Sequence, residues 1–282
     1  MLLNKNLFFL ILLSALFFSC SSFLYQPTSY WYSDPKSFNL EYSEFKILNS
    51  DGFNLVGWHF KTKKENPTLI LFFHGNAQNI TSHYQHLAWL PAKGHEFIIF
   101  DYRGYGVSEG APYQMGLQRD AQAFLNYGYD VYKAGKYKKL IIYAQSLGGA
   151  VALRALQDFS HKDEVNLLVL DSTFLSYSEI AKSKLQLSWL TYLFSPLAYI
   201  LINDETAPWL TLKSHTTPTL VIHGDADFVI PLKFGEELYQ KLPLVENKTK
   251  WFWKIPGGGH IDAYYRENGK YQNDLIKFIE KI

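Results

Sequence analysis

A chain of 282 residues with 48% hydrophobic and 19% charged side chains has enough apolar material for one sizeable folded domain and too little charge to be disordered. Its formal net charge is +1, from 27 basic against 26 acidic residues, and no basic cluster alternates with aromatics, which excludes a nucleic-acid-binding surface of the usual kind. Cys20 is the one cysteine, so an intrachain disulfide is excluded too.

Lys5 precedes an apolar run over residues 7–18, which is followed by Ser19, Cys20, Ser21 and Ser22. The run is shorter than the roughly 18 residues of a spanning helix and has the charge-then-apolar order of a secretory signal, so residues 1–19 are expected to be a signal peptide outside the fold. Cys20, placed directly after the run with Ser19 before it, resembles the lipobox of bacterial lipoproteins, although Phe17 and Phe18 depart from its usual residues. That resemblance implies cleavage before Cys20, a lipid anchor on it, and a place in the bacterial cell envelope facing the periplasm. Ser21 and Ser22, in place of an acidic residue, resemble lipoproteins passed to the outer membrane. The alternative is an uncleaved anchor or a plain signal peptide. Residues 20–43 then read as a lipidated tether, rich in aromatic, Ser and Pro residues after position 23, that docks on the domain.

The domain is expected over 44–282. Residues 44–48 and 53–60 are strand-like and joined by Asn49-Ser50-Asp51-Gly52, the signal of an antiparallel hairpin. Residues 68–73 form an apolar run of strand length that ends in His74-Gly75-Asn76, and 80–93 read as one helix closed by Gly94. A strand at 96–100 ends in Asp101-Tyr102-Arg103, and a helix over 113–132 follows. Residues 140–143 are the next strand, Ser146 stands at the corner after it, and a helix-compatible segment opens at Gly148. After a strand at 166–170 the alternation pauses over 173–215, a stretch with far more apolar residues than a connection needs, expected to be a helical cap. A strand at 219–222 ends in His223-Gly224-Asp225-Ala226-Asp227, a helix covers 232–242, a last strand at 250–255 runs into Gly257-Gly258-Gly259-His260, and a helix over 263–282 closes the chain. Strands alternating with helices specify a mostly parallel sheet with helices on both faces, and ligands then bind at the carboxyl ends of the strands.

Three of those strand ends carry Ser146, Asp227 and His260. A serine hydroxyl becomes a nucleophile when a base takes its proton, and the base needs a carboxylate to fix its tautomer. Ser146 sits on a tight strand-to-helix turn with Ala144 and Gly148 as the small residues two before and two after it, where the usual pattern has glycine at both. Asp225 and Asp171 compete with Asp227 for the acid. His83 and His86, one turn apart, make two ligands without a third and are expected to be solvated; Asp101, Tyr102 and Arg103 are expected to pack and pair beneath the site.

The chain resembles an α/β-hydrolase of the branch that holds the ABHD-type lipid and acyl-protein serine hydrolases, through Tyr25-Gln26-Pro27, Asp51-Gly52, HGNAQN, DYRGYG, AQSLGG, HGDAD and GGGH in that order. The resemblance implies an α/β-hydrolase fold with a small helical cap, a Ser146-His260-Asp227 triad, and an oxyanion hole from the backbone N–H groups of Asn76 and Leu147, with no metal or organic cofactor. The expected activity is hydrolysis of ester or thioester bonds of apolar, lipid-like acyl substrates, with a pocket partly lined by Trp189, Leu190, Leu193 and Phe194; packing as helix core is the competing use for those side chains. Two rivals share the fold: a prolyl-aminopeptidase-like enzyme, for which Asp204 and Glu205 are the one acidic pair in the cap, and a non-catalytic binding scaffold. A haloalkane dehalogenase would need Asp at position 146.

Overall fold

The computed structural model describes residues 25–244 and 250–282, so the expected signal peptide and Cys20 lie outside the described residues. Two short strands, β1 (Gln26–Pro27) and β5 (Ala77–Gln78), pair in parallel. The other eight form the central sheet in the spatial order β2 (Tyr42–Leu48), β3 (Asn54–Phe60), β6 (Glu96–Phe100), β4 (Thr68–Phe73), β7 (Lys139–Gln145), β8 (Leu167–Asp171), β9 (Thr219–Gly224) and β10 (Lys250–Ile255). β3 runs antiparallel to both of its neighbours, and the remaining pairs are parallel. The opening hairpin and the α/β-hydrolase architecture are therefore as the sequence led us to expect.

The period-2 geometry of a strand explains why the central runs are apolar throughout. In β4, Leu69, Leu71 and Phe73 enter one core layer while Ile70 and Phe72 enter the other, so neither face meets water. The first layer is closed by the helices Gln114–Ala134, Leu147–Gln157 and Leu232–Lys241, and the second by residues 80–93 and the helix Lys270–Lys281. The segment after β4 and the helix after β7 thus go to opposite faces of two adjacent strands. Their carboxyl ends part there, leaving the crevice at which such sheets bind ligands.

Two predicted helices are broken. Residues 80–93 form a single turn, Ile80–His83, and two 3₁₀ turns, Tyr84–His86 and Pro91–Lys93, while Tyr84, Leu87 and Leu90 keep the predicted buried side. Pro91 has no N–H to give an α-helix, and Gly94 at φ 84° ends the segment in the left-handed region. Residues 263–282 split in the same way: Asn268 at φ 52° and Gly269 at φ 77° interrupt the α ladder before Lys270–Lys281.

From Tyr25 onward the tether is part of the folded unit. Tyr25 is buried, the Asn79 side-chain amide donates to Thr28 O and Tyr30 O, each at 2.8 Å, and Gly106 N–H donates to Thr28 O. The cap follows β8 as the helix Tyr177–Leu185, the single turns Trp189–Tyr192 and Ala198–Leu201, and 3₁₀ turns between and after them. Phe174, Leu175, Tyr177, Ile202 and Leu212 join the core, but Trp189, Leu190, Leu193 and Phe194 do not, which corrects the expectation of helix core for those four: the one-turn helix that carries them leaves its outer face in solvent among the described residues.

Candidate active site

β7 delivers the chain to Ser146, and the helix Leu147–Gln157 leaves from it. Ser146 has φ 53° and ψ −120°, a strained conformation for any residue with a Cβ, costing on the order of 1–3 kcal/mol. Neighbouring strand ends hold it there. Ser146 N–H donates to Asp171 O at 2.9 Å, and Ser146 O accepts from Thr173 Oγ1 at 2.7 Å and from Gly149 N–H at 3.0 Å. A Cβ on Gly148 would run into the carbonyl oxygens of Phe73 and His74, so the close approach of this helix to the end of β4 requires glycine. The methyl of Ala144 is fully buried without displacing the turn, which is why the departure from a glycine at that position is tolerated.

β9 and β10 present the other two groups. Gly224 faces Gly258 and Gly259 so closely that a side chain would strike their carbonyl oxygens, and Ala226 N–H donates to Gly258 O at 2.8 Å. This lacing sets His260 against Asp227: the distance from His260 Nδ1 to Asp227 Oδ2 is 2.8 Å. The carboxylate's other oxygen accepts from Val229 and Ile230 N–H, both at 2.8 Å. Burial alone would raise the Asp227 pKa, but the hydrogen bond and charge of His260, with the Ile230 N–H, hold it below the usual carboxylate range. With Nδ1–H donated to the carboxylate, a neutral imidazole keeps its lone pair on Nε2.

The competing acids are engaged elsewhere. Asp171 is buried and accepts the Tyr143 hydroxyl at 2.6 Å, and burial raises its pKa. Asp225 lies at the surface and accepts Gly257 N–H at 2.7 Å. Of the three, Asp227 is the carboxylate within hydrogen-bond distance of the His260 ring.

On the opposite side of the elbow, the loop after β4 abuts Ser146 closely: a Cβ placed on Gly75 would meet Ser146 Cβ at 3.6 Å. Asn76 is fixed through its side-chain Oδ1, which accepts from Gln26 N–H at 3.2 Å and from the Tyr105 hydroxyl at 2.9 Å. Leu147 is the first residue of its helix, where backbone N–H groups have no intrahelical acceptor. His74 lies buried beneath the loop with Nε2 3.3 Å from Asp101 Oδ1, and Tyr102 OH donates to its carbonyl. Arg103, fully buried, makes a fork of bonds to Asp120 and a 2.8 Å ion pair with Asp51. The structural roles expected for residues 101–103 are what the structure shows.

His83 and His86 correct the sequence reading. His83 is buried, stacked on His74 with ring centroids 4.9 Å apart, and His86 continues the column at 5.9 Å. Burial, and the neighbouring rings after it, lowers both pKa values to about 3. Their apolar surroundings came from the fold of residues 80–93, which an i, i+3 spacing on an assumed regular helix did not reveal.

Trp189, Leu190, Leu193 and Phe194, expected to line part of an acyl pocket, stand 58–84% exposed. Thr173 and Ser172, by contrast, were not singled out in the sequence. Thr173 braces the elbow, and Ser172 Oγ lies 3.4 Å from Ile261 N, beside His260. Their signal is their place directly after Asp171 at a strand's carboxyl end.

The sequence profile of the family described as serine aminopeptidase, S33, matches residues 64–211, which hold the His74 loop, the elbow and most of the cap. The chain belongs to this family. Relatives include the protein YfhR of Salmonella typhimurium, 32% identical with 89% of this chain and 87% of that protein covered. The alpha/beta hydrolase domain-containing protein WAV2 of Arabidopsis thaliana is 31% identical, covering 88% and 81%, and the protein bem46 of Schizosaccharomyces pombe is 30% identical, covering 81% and 74%. Among solved structures, the esterase Pf2001 of Pyrococcus furiosus superposes with a TM-score of 0.73 over 91% of this chain and 97% of that one at 19% identity, a likeness of fold. The chain is an ABHD-type α/β-hydrolase, and its class of chemistry is hydrolysis.

Proposed function

We propose that the protein is a serine hydrolase that cleaves ester or thioester bonds of apolar acyl substrates through Ser146, His260 and Asp227. The observation that carries this reading is the 2.8 Å contact of His260 Nδ1 with Asp227 Oδ2, at the same sheet edge as a serine held at φ 53°. His260 Nε2 takes the Ser146 proton as Oγ attacks the carbonyl carbon. Asp227 keeps the imidazole in the right tautomer and stabilises its cation. The N–H groups of Leu147 and Asn76 receive the oxyanion, His260 gives its proton to the leaving group, and water activated by the same nitrogen releases the acyl group. An apolar acyl group suits a site bordered by a cap segment with no charge between Lys184 and Asp204. The N-terminal residues, with Cys20 as the lipidated position, would hold the enzyme at the envelope membrane.

The peptidase reading needs a free acidic group for the substrate amine. Asp204 instead caps the helix Tyr177–Leu185, accepting from Tyr177 and Ser178 N–H and from the hydroxyls of Ser176 and Ser178. The test is labelling with a fluorophosphonate probe together with hydrolysis of nitrophenyl esters. Wild type should label and turn over, and Ser146→Ala should lose both, with a fall in rate on the order of a millionfold. No labelling would point to a binding scaffold, and preference for aminoacyl amides over every ester would restore the peptidase.

A further inference from the structure

Residues 185–203 contain no charged side chain, and a stretch of that composition normally turns inward in a soluble domain. Here Trp189 and Leu193 are each 84% exposed, Ile200 is 76% exposed, and Leu187, Leu190 and Phe194 join them at the surface. The segment is built, not loose. The helix Tyr177–Leu185 packs against the turns Ser195–Leu197 and Ala198–Leu201, and Thr191 Oγ1 donates to Leu185 O at 2.6 Å.

Three neighbours say where this face points. The cap segment leaves the sheet at Thr173, whose Oγ1 donates to Ser146 O at 2.7 Å, so it begins beside the site. Phe228, adjacent to Asp227, is also exposed. Tyr25, where the described chain begins, is buried in the same core cluster as Tyr177, the first residue of the cap helix. The described chain therefore begins at the base of the cap, downstream in sequence of the apolar run 7–18.

We infer that this face of the cap docks on a lipid bilayer, turning the mouth of the site toward the membrane surface. Leu, Ile and Phe side chains enter the hydrocarbon boundary, while Trp189, Tyr192, Tyr199 and Trp209 carry the apolar body and polar tip that favour the headgroup level. Lys182 and Lys184 stand at the border, where cations meet anionic headgroups. The N-terminal anchor proposed above makes the bilayer the occupant nearest to hand. Docking of this kind would deliver lipid-embedded esters to the proposed triad, but it does not depend on that chemistry.

The test reads contact, not turnover. The full chain is reconstituted in vesicles of phosphatidylcholine brominated on the upper acyl carbons, and tryptophan emission is compared with that in unbrominated vesicles. Bromine should quench part of the emission. Trp189→Phe should reduce that part to the share of Trp209, and the double variant Leu187→Glu, Ile200→Glu should lose it while keeping its thermal melt and its turnover of a soluble acetate ester. Quenching unaltered by all three substitutions overturns the inference. So does a wild type that is not quenched: dimers in sedimentation that the double variant dissolves would then assign the face to a second copy, and monomers would assign it to the run at 7–18.

Discussion

His83 makes acid stability a measure of the site's packing. Its ring is buried between His74 and His86, its Nε2 lies 2.7 Å from Ala77 O, and its folded pKa falls to about 3. An unfolded histidine titrates near 6.5, so between that value and about 3 the unfolded chain binds the extra proton, and stability is lost as pH falls through the window. At pH 5 the unfolded ring is almost wholly charged and the folded one neutral, a difference of about 2 kcal/mol. For a domain of this size that lowers Tm by roughly 4–8 °C between pH 7 and pH 5. Burial lowers the pKa of His74 and raises that of Asp101, 3.3 Å away, so the two groups act in opposite directions on the pH dependence. His86, lowered to about the same value, acts in the same direction, so comparison with a His83 variant is needed to isolate the His83 share. The assay is calorimetric Tm at pH 7 and pH 5 for wild type and His83→Gln, whose amide can still donate to Ala77 O. The variant should have the shallower pH dependence by about the stated amount; parallel curves would refute the reasoning.

Asp227→Asn should reduce kcat by roughly 10⁴ through the wrong histidine tautomer, and Asp171→Asn and Asp225→Asn should cost less in the same ester assay. If either costs more, the acid is misassigned. Ser146→Gly should abolish turnover yet raise Tm, since glycine relieves a φ of 53° worth on the order of 1–3 kcal/mol; an unchanged or lower Tm would show the elbow to be unstrained. Arg103→Met leaves the buried carboxylate of Asp120 without its guanidinium, and denaturant unfolding should show a loss of about 3–5 kcal/mol.

Strand runs and strand-end motifs were legible because they report local constraints. Gly148 and Gly224 mark points where two backbones meet, and such contacts leave the same residue type in the same place. Ser146, Asp227 and His260 follow from that frame. The segments that misled lack such a constraint. An apolar period over 80–93 fits one regular helix or a string of 3₁₀ turns with the same buried side, and Pro91 decides for the turns. The cap misled for a different reason: hydrophobicity predicts that a side chain leaves water, not what covers it. Trp189 and Leu193 satisfy the composition of a core and occupy a surface.

The N-terminal segment shows how the two halves of the proposal connect. β1 is two residues long and pairs with β5, which begins at the residue after Asn76. Gln26 N–H and the Tyr105 hydroxyl converge on the same Asn76 oxygen, and Asn79 holds Thr28 and Tyr30 from the other end of the turn. The backbone proposed to receive the oxyanion is therefore positioned by the segment that arrives from the apolar N-terminus. In a free tether these contacts would have no use, since an anchor needs only length. Their presence makes residues 26–30 a structural member of the site instead of a spacer before it.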